Sequence, residues 1–476
     1  YWNGSTWVNN TVRQQQGYAS VQWTNPSYDW NVSIDASAVG NLRWGSTGAT
    51  NPTIRSVINN DIVFGSNGTV PQSTGSPSFG YSENATWWAI SLKPQDRGKL
   101  LYMETIPMVN TQYNDLLSYQ RASEGVFVFV EMPTLKWSGH SMYTGKKLWE
   151  TRALSEFNPF GYFSFPSLMY DEASTIAYGK LYVGGYIGGV FAFDLYNGTE
   201  LWNYTAPTDM SVFKYYTLML GGVADNKLFV GTHEHSADTP LFKGNRLRVL
   251  DVNTGESLYE MISWPHPRTM AFADDTLIYW NNYDHQIYAL SKGPSSTTVQ
   301  APSAAITLGS SLVITGSVMD VSAGTKQPEQ AARFPNGVPA MSEDSQAVWM
   351  EYVYMQKARP TSATGVEVTL SVMDSNGNTR EIGKATSDSS GVFSYQWTPD
   401  ITGKYTVYAT FAGSNSYYPS FNEAAFAVDP APPAQPEEPQ APPSMTDTYV
   451  LAGVAAIIVA IAIVGAVVVL LLRKRP

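Results

Sequence analysis

The pattern of apolar and polar positions predicts short β-strands separated by glycine turns through most of the first 290 residues. It is clearest in residues 180–204, which read KLYVGGYIGGVFAFDLYNGTELWNY. Aromatic and β-branched residues favour half-buried strands, and the glycine pairs and Asn197-Gly198 supply the positive φ that tight hairpin turns need. The segment is predicted to be an antiparallel meander whose strands lie at 181–183, 190–194 and 200–204.

The same turn and strand recur along the chain at intervals of about 50 residues, the spacing typical of a β-propeller blade. Each copy has a turn glycine followed by a strand with a leucine and an aromatic residue; the glycines are Gly98, Gly145, Gly198 and Gly255. An aliphatic strand precedes each turn, at 61–64, 126–130, 181–183 and 228–230. The chain is therefore predicted to contain a series of four-stranded antiparallel blades.

The run LYVG…VFAFD…NGTELW resembles the PQQ-like β-propeller repeat, with Gly184, Asp194, Gly198 and Trp202 at the usual places of the motif. The resemblance covers about residues 19–290 and implies an all-β fold with a propeller in residues 1–294. It does not imply one activity, because the family includes quinone-dependent dehydrogenases, membrane assembly scaffolds and proteins of unknown role. Trp149 and Trp202 occupy the repeat position that packs one blade on the next.

Only four or five blades are visible, and the last unit, 276–290, shows two strands. The chain begins with Tyr1 and has no signal-like start, which suggests a removed signal peptide or a fragment of a longer chain. Propellers commonly close by pairing a strand from one terminus into an incomplete blade. Residues 19–30 are predicted to pair with the last unit in this way.

Residues 295–428 follow a different pattern, in which strands recur at the spacing of a β-sandwich. The stretch from 387 to 420 resembles the end of Ig-like repeats of cell-surface proteins, which places Phe393, Trp397 and Tyr405 in the core. Residues 321–360 are an insertion in that pattern. Its apolar positions within 344–356 predict a short helix or an added strand that packs on the sandwich or the propeller.

The C-terminal segment is predicted to anchor the protein in a membrane. Residues 429–447 form a proline-rich stalk, and residues 450–472 contain no charged side chain. As a helix the latter would rise about 34 Å, enough for a hydrocarbon core of about 30 Å. Arg473, Lys474 and Arg475 follow, so the positive-inside rule predicts a cytoplasmic tail at 473–476 and a large extracellular part at the plasma membrane.

Seven Asn-x-Ser/Thr triplets are candidate N-glycosylation sites, and all lie in the part predicted to be extracellular. They begin at Asn3, Asn9, Asn31, Asn67, Asn84, Asn197 and Asn203. An Asn-rich sequence also yields such triplets by chance. The topology favours occupancy of at least some of them.

Charge and cysteine content exclude several classes of function. The formal net charge of -11 argues against binding to a nucleic-acid backbone. The chain has no cysteine, so it cannot form disulfides or thiolate metal sites. The resemblance to quinoproteins implies a vicinal disulfide in their alcohol-oxidising branch, and this chain cannot form it.

Two clusters are candidates for metal chemistry, and each has a structural alternative. Asp274-Asp275 is either a ligand pair or a solvated turn before a strand. His233-Glu234-His235 with Asp238 offers imidazole and carboxylate groups that suit zinc, or it is a polar loop at a blade rim. Neither cluster is assigned as a site, and no catalytic, cofactor-binding or metal-ligating residue is predicted.

Two hypotheses of function remain. The first is a membrane-anchored cell-surface binding or structural protein, whose propeller is a platform for a glycan, a protein or a small molecule. The second is a tethered extracellular enzyme, either a quinoprotein dehydrogenase or a polymer hydrolase, with its site on the propeller axis. The first is preferred because display modules account for the whole chain.

Overall fold

The computed structural model describes a chain built mostly of antiparallel strands. The residues that it describes are 12–15, 18–21, 42–43, 52–67, 81–82, 84–110, 115–132, 134–154, 173–185, 187–207, 217–232, 245–265, 269–433 and 445–474.

The first eight strands form one blade and two short pairs. Their bounds are β1 (Val12–Gln15), β2 (Tyr18–Val21), β3 (Leu42–Arg43), β4 (Thr53–Ile58), β5 (Ile62–Asn67), β6 (Tyr81–Ser82), β7 (Asn84–Ser91) and β8 (Leu100–Pro107). Blade A is the antiparallel sheet β4-β5-β7-β8, while β1 pairs with β2 and β3 pairs with β6. Residues 22–30 lie outside the described residues, so the predicted ring-closing pair stays a prediction.

Four further sheets follow in chain order, each a meander like blade A. Blade B contains β9 (Val109–Asn110), β10 (Asp115–Ser123), β11 (Val126–Met132), β12 (Lys136–Ser141) and β13 (Lys147–Glu150). Blade C contains β14 (Ser174–Ala177), β15 (Lys180–Val183), β16 (Gly189–Asp194) and β17 (Glu200–Thr205). Blade D contains β18 (Leu218–Ala224), β19 (Lys227–Thr232), β20 (Arg246–Asp251) and β21 (Ser257–Ile262), and blade E contains β22 (Ala271–Ala273), β23 (Thr276–Asn281) and β24 (Gln286–Ser291).

These sheets confirm the predicted propeller blades, with one correction. The last unit has three strands and not two, because β22 precedes it. Its sequence, Ala-Phe-Ala, is too short to show a strand pattern. Strands β4, β10, β14 and β18 contact one another in succession, so they are the innermost strands of blades A to D, around the axis.

Apolar cores lie between neighbouring blades, because side chains alternate between the two faces of each strand. On β11, Phe127 and Phe129 pack against blade A, whereas Val126, Val128 and Val130 pack against blade C. Tyr182 of blade C continues the series towards blade D. Every blade between A and E is thus apolar on both faces and depends on both neighbours for burial.

An aromatic ring on the outer strand of one blade docks over the turn glycine of the next. The Trp149 indole Nε1 donates to the Leu195 carbonyl at 2.6 Å, and Trp202 Nε1 donates to the Val252 carbonyl at 3.0 Å. Gly198 and Gly255 lie beneath these rings at φ of 74° and 73°. A Cβ at Gly255 would stand 2.5 Å from the Trp202 ring. The prediction that Trp149 and Trp202 pack blade on blade is confirmed.

The region after the propeller consists of two sheets that share one core. Its strands are β25 (Ser295–Gln300), β26 (Ile306–Thr307), β27 (Leu312–Asp320), β28 (Val338–Pro339), β29 (Glu367–Met373), β30 (Thr379–Thr386), β31 (Val392–Trp397), β32 (Gly403–Phe411) and β33 (Ser420–Asp429). One sheet joins β25, β28 and β31 around β27, and the other has the order β26-β33-β32-β29-β30. Phe393 and Tyr405 are buried in the shared core and Trp397 packs against it, as the sequence predicted.

The insertion at 321–360 is folded and packed, which confirms that its apolar residues are covered. It contains a 3-10 turn (Ala323–Lys326) and the helices α1 (Pro328–Arg333) and α2 (Glu343–Tyr354). From α2, Gln346 Nε2 donates to the Tyr417 hydroxyl at 3.2 Å, within the two-sheet domain. Met350 packs against the core between blades D and E, and Glu351 Oε1 accepts the backbone N–H of Ile262 on β21 at 2.7 Å. Helix α2 therefore contacts both parts of the protein.

The last described element, α3 (Met445–Arg473), is a single helix long and apolar enough to cross a membrane. Asp447 lies in its first turn and Arg473 in its last. Its apolar side chains are exposed along its whole length. This helix is consistent with the predicted single-pass anchor.

We predict that Gly255→Ala weakens the contact between blades C and D. The free energy of unfolding should fall by about 3 kcal/mol, because a left-handed alanine costs about 1 kcal/mol and overpacking on the Trp202 ring adds about 2 kcal/mol. Denaturant unfolding followed by circular dichroism measures the change. Gly309→Ala is the matched control, since Gly309 has φ of 87° but no atom within 4 Å of the added Cβ. Equal losses in the two variants would contradict the docking role of Gly255.

We also predict acid-sensitive stability from His140, which is buried between the rings of Phe127 and Phe129. Its pKa is lowered from 6.5 to about 4, chiefly by burial; the Gly145 carbonyl opposes this shift and Lys147 adds to it. The unfolded chain thus binds more protons between pH 4 and 6.5. Stability present above pH 6.5 should be lost as the pH falls towards 4, by about 3 kcal/mol in total.

Unfolding free energies of the wild type and His140→Gln at several pH values in this window test the expectation. The variant should show a flatter dependence on pH. His285→Gln, which changes an exposed histidine, should keep the wild-type slope. If the unfolding free energy of His140→Gln depended on pH as steeply as that of the wild type, His140 would be excluded as the source of the acid sensitivity.

Candidate functional site

The innermost strands of three neighbouring blades line an open-sided cavity of about 360 Å³, on the side that faces the propeller axis. Blades B, C and D contribute the ends of β10, the start of β14 and the middle of β18, and Met270 precedes β22 of blade E. One side of the cavity is polar, with Arg121, Ser123, Ser174 and Thr175. The other is apolar, with Leu220 and Met270 as its largest side chains. Concave sites that combine an apolar wall with a few polar groups are typical of small-ligand sites.

Arg121 lies at the junction between blades B and C. Its Nε donates to the backbone carbonyl of Ser174 at 3.1 Å, so the guanidinium is held against the neighbouring blade. Ser174 is 1% exposed, and its Oγ has no hydrogen-bond partner among the described residues. A buried hydroxyl without a partner loses free energy relative to water. Because Ser174 Oγ is shielded as well as unpaired, a ligand would reach it only after a local shift of the strand.

Irregular pairing in the inner strands sets the direction of these side chains. The register of β10 shifts between Tyr119 and Arg121, and that of β18 shifts between Leu220 and Gly222. Such bulges insert an extra residue and re-aim the side chains that follow it. Here the first bulge immediately precedes Arg121. The second places Gly221, which has no side chain, where Met270 packs.

A second arginine lies on the innermost strand of blade A, also at a register shift. The pairing of β4 with β5 is irregular between Ile54 and Ser56, which brackets Arg55. Arg55 Nε donates to Ser66 Oγ at 3.0 Å, and its guanidinium lies 5.4 Å from the Tyr119 ring centroid. Burial lowers the pKa of Arg55. Neighbouring blades A and B thus each carry a cation on the inner strand.

The cavity lining carries groups that can bind a ligand. A guanidinium and hydroxyl groups can hold a carboxylate, a phosphate or a hydroxyl-rich molecule against an apolar wall. Among the described residues that line the cavity there is no histidine, aspartate or glutamate to accept a proton from a serine or a water. No group of three metal-binding side chains is present in the part of the chain that the structure describes.

The clusters predicted from sequence lie elsewhere. Asp274 and Asp275 form the turn between β22 and β23, at φ of 47° and 58°, and both are exposed. The solvated-turn alternative is therefore the one the structure supports. Residues 233–240, which include His233, Glu234, His235 and Asp238, lie outside the described residues.

The candidate glycosylation sites differ in accessibility. Asn67 is 0% exposed and its Oδ1 accepts the Trp88 indole at 2.9 Å, so a glycan there would require this packing to open. Asn197 and Asn203 are exposed, on the turn before β17 and on β17 itself. Asn84 is half-buried at the start of β7. Asn3, Asn9 and Asn31 lie outside the described residues.

Arg121 and Ser174 were not identified from the sequence. Their cavity depends on which strands are innermost and on a bulge in β10, and neither is visible in an apolar pattern. The single available signal was an arginine at the end of the strand DLLSYQRAS, next to a hairpin turn.

No family model matches the chain, and no curated protein matches it. Solved structures to which it is similar include BamB from Moraxella catarrhalis, at 10% identity and a TM-score of 0.28, with 73% of this chain and 84% of that chain covered. The quinohemoprotein alcohol dehydrogenase ADHIIG from Pseudomonas putida HK5 has 11% identity and a TM-score of 0.31, with coverage of 84% and 70%. The WD40 β-propeller domain of Doa1 has 9% identity and a TM-score of 0.26, with coverage of 76% and 97%.

These similarities are too weak to carry an argument. The β-propeller fold follows from the repeat in the sequence, the successive meander sheets and the docking of Trp149 and Trp202 on turn glycines. The PQQ-like motif is a resemblance of the sequence.

Proposed function

We propose that this is a membrane-anchored cell-surface binding protein whose propeller takes a small ligand in its axial cavity. The observation that carries the proposal is the Arg121 guanidinium, which the Ser174 backbone carbonyl holds at one wall of that cavity, beside Ser123 and Thr175. The ligand class that fits is a small carboxylate, phosphate or polyhydroxy compound. Binding is favoured over the alternative of a tethered dehydrogenase or hydrolase because the described lining supplies no proton acceptor.

The remaining modules are proposed to hold the propeller outside the cell. We take residues 1–294 as the propeller, 295–428 as an Ig-like sandwich with the insertion 321–360, 429–447 as the stalk and 450–472 as the membrane span. The shared core of the two sheets supports the second unit. The basic residues that follow the apolar helix support a cytoplasmic tail at 473–476.

Glycosylation is proposed at the accessible triplets. Asn203 is favoured since it is exposed on β17. Asn197 is also exposed but adjoins the exposed Tyr196 ring, and Asn84 is a weaker candidate because it is half-buried. Asn67 is disfavoured by its burial.

The orientation of the anchor is testable because the chain has no native cysteine. Ala431→Cys and Lys474→Cys each introduce one thiol at an exposed position, on either side of α3. With a membrane-impermeant maleimide, Ala431→Cys should be labelled in intact cells and Lys474→Cys only after permeabilisation. The reverse pattern would place the propeller inside the cell, and labelling of both in intact cells would contradict a spanning helix.

Ligand binding in the cavity predicts a thermal shift that depends on Arg121. A panel of citrate, succinate, inorganic phosphate, glycerol phosphate and inositol should contain a compound that raises the melting temperature of the full-length protein in detergent. Arg121→Gln should lower the affinity for that compound at least tenfold, because a charge-assisted hydrogen bond is lost. Arg152→Gln is the control, because Arg152 pairs with Glu200 at 2.9 Å and does not line the cavity.

The enzyme alternative is tested with pyrroloquinoline quinone and calcium, followed by tryptophan fluorescence. Alcohols and sugars are then offered with an electron-accepting dye. Saturable quenching together with dye reduction would replace the binding proposal by a tethered dehydrogenase.

In the thermal-shift experiment, equal shifts in the wild type and Arg121→Gln would exclude the axial cavity as the binding site.

A further inference from the structure

Three exposed tyrosines lie at hairpin turns on one face of blades B and C; Tyr143, Tyr178 and Tyr196 are together termed the tyrosine face. Their exposed fractions are 38%, 51% and 56%. Tyr143 lies in the turn between β12 and β13, Tyr178 in the turn between β14 and β15, and Tyr196 in the turn between β16 and β17. In a meander blade these turns all lie at the same end of the strands, so the three rings share one face.

Contacts between the turns hold this face together. The Leu195 N–H donates to the Gly179 carbonyl at 2.9 Å, which joins the two turns of blade C. The Gly179 N–H donates to Glu124 Oε2 at 2.8 Å, which joins blade C to blade B. The Tyr143 hydroxyl donates to Asp61 Oδ2 at 2.5 Å and so reaches blade A. The rings therefore belong to one continuous surface.

Glycines support two of the three rings. A Cβ at Gly125 would stand 2.9 Å from the Tyr143 ring, and one at Gly179 would stand 3.5 Å from the Tyr196 ring. In both blades, the tyrosine of the second hairpin turn lies over the glycine of the first. The rings of Tyr143 and Tyr196 thus rest on backbone and expose a large part of their surface to solvent.

Tyr178 occupies a backbone conformation that an aromatic residue rarely adopts. Its φ is 54°, in the left-handed region that favours glycine, asparagine and aspartate. The equivalent turn positions in blades B, D and E carry Glu124, Asp225 and Asp274. Folding gains little from the Tyr178 ring, since half of it is exposed. An unfavourable conformation retained without burial points to a role outside the fold.

The groups around the rings are polar and carry both charges: Lys93 Nζ lies 5.7 Å from the Tyr143 ring centroid and pairs with Asp61. Thr144 and Asn197 follow Tyr143 and Tyr196 directly, and all four are exposed. Glu124 lies between the two blades. Polar residues thus separate the rings, which does not give the contiguous apolar core of a protein interface.

We propose that the tyrosine face binds a carbohydrate chain. The apolar C–H face of a pyranose stacks on an exposed tyrosine ring, and the hydroxyl groups around its edge hydrogen-bond to carboxylates, amides and hydroxyls such as those of Glu124, Asn197 and Thr144. Separate rings on adjacent turns suit successive sugars of a linear chain. This inference deepens the proposed function, because it names a partner class for the same binding platform at a second surface.

The test uses the full-length protein made in a bacterial host that lacks N-glycosylation, in a detergent without a sugar headgroup. Calorimetric titration with cellohexaose, xylohexaose and chitohexaose should give saturable binding of at least one. The double variant that combines Tyr178→Asn with Tyr196→Ser should bind that oligosaccharide at least tenfold more weakly. Its melting temperature should be unchanged. Asparagine suits the left-handed φ, so the double variant keeps its fold.

Two controls make the result specific. Tyr178→Phe keeps the ring and should retain the wild-type affinity, and Tyr418→Ser removes an exposed tyrosine from the two-sheet domain and should have no effect. Absence of binding to all three oligosaccharides, or equal affinity in the double variant, would overturn the inference. The thermal shift that depends on Arg121 is measured separately, so loss of the carbohydrate result alone leaves the axial cavity proposal standing.

Discussion

The propeller depends on the docking of an aromatic ring from one blade over the turn glycine of the next. No single blade buries its own faces, because each strand alternates apolar side chains between two neighbours. Trp149 and Trp202 add a directed hydrogen bond to each interface, from the indole to a backbone carbonyl of the following turn. Glycine is required at this position for two reasons: it adopts the left-handed φ, and it leaves the space that the ring occupies. The same glycine therefore meets the requirements of the hairpin turn and of the packing between blades.

This packing requirement acts differently on the outer, middle and inner strands of a blade. Outer strands carry the docking rings, and the interblade cores hold the middle strands. Irregular pairing occurs in the inner strands β4, β10 and β18, and also between the two outer strands of blades A to D. The shift in β10 sets the direction of Arg121 at the cavity. A local departure from regular pairing therefore decides which side chain this inner strand presents to the candidate binding cavity.

Much of the fold was predictable because its signals are local. Turn glycines at Gly145, Gly198 and Gly255 and the aliphatic strands before them appear directly in the sequence, and the structure has them in those places. Met350 and Glu351 on α2 contact blade D across nearly 90 residues of chain, and no local pattern reports that. Arg121 was missed for the related reason that its position depends on a register shift. The Ala-Phe-Ala strand of blade E was missed because three residues show no period.

The contact of α2 with β21 affects how force passes between the propeller and the two-sheet domain. Glu351 accepts a backbone N–H from the outer strand of blade D and lies 3.9 Å from Arg246 Nη1, while Met350 and Met355 enter the adjoining core. At the domain junction, Gly293 exchanges backbone hydrogen bonds with Ser416 and Tyr418. Two separated attachments resist rotation as a single linker would not. A force applied to either domain is therefore passed to the other through two connections, the chain at Gly293 and the contact of α2 with β21.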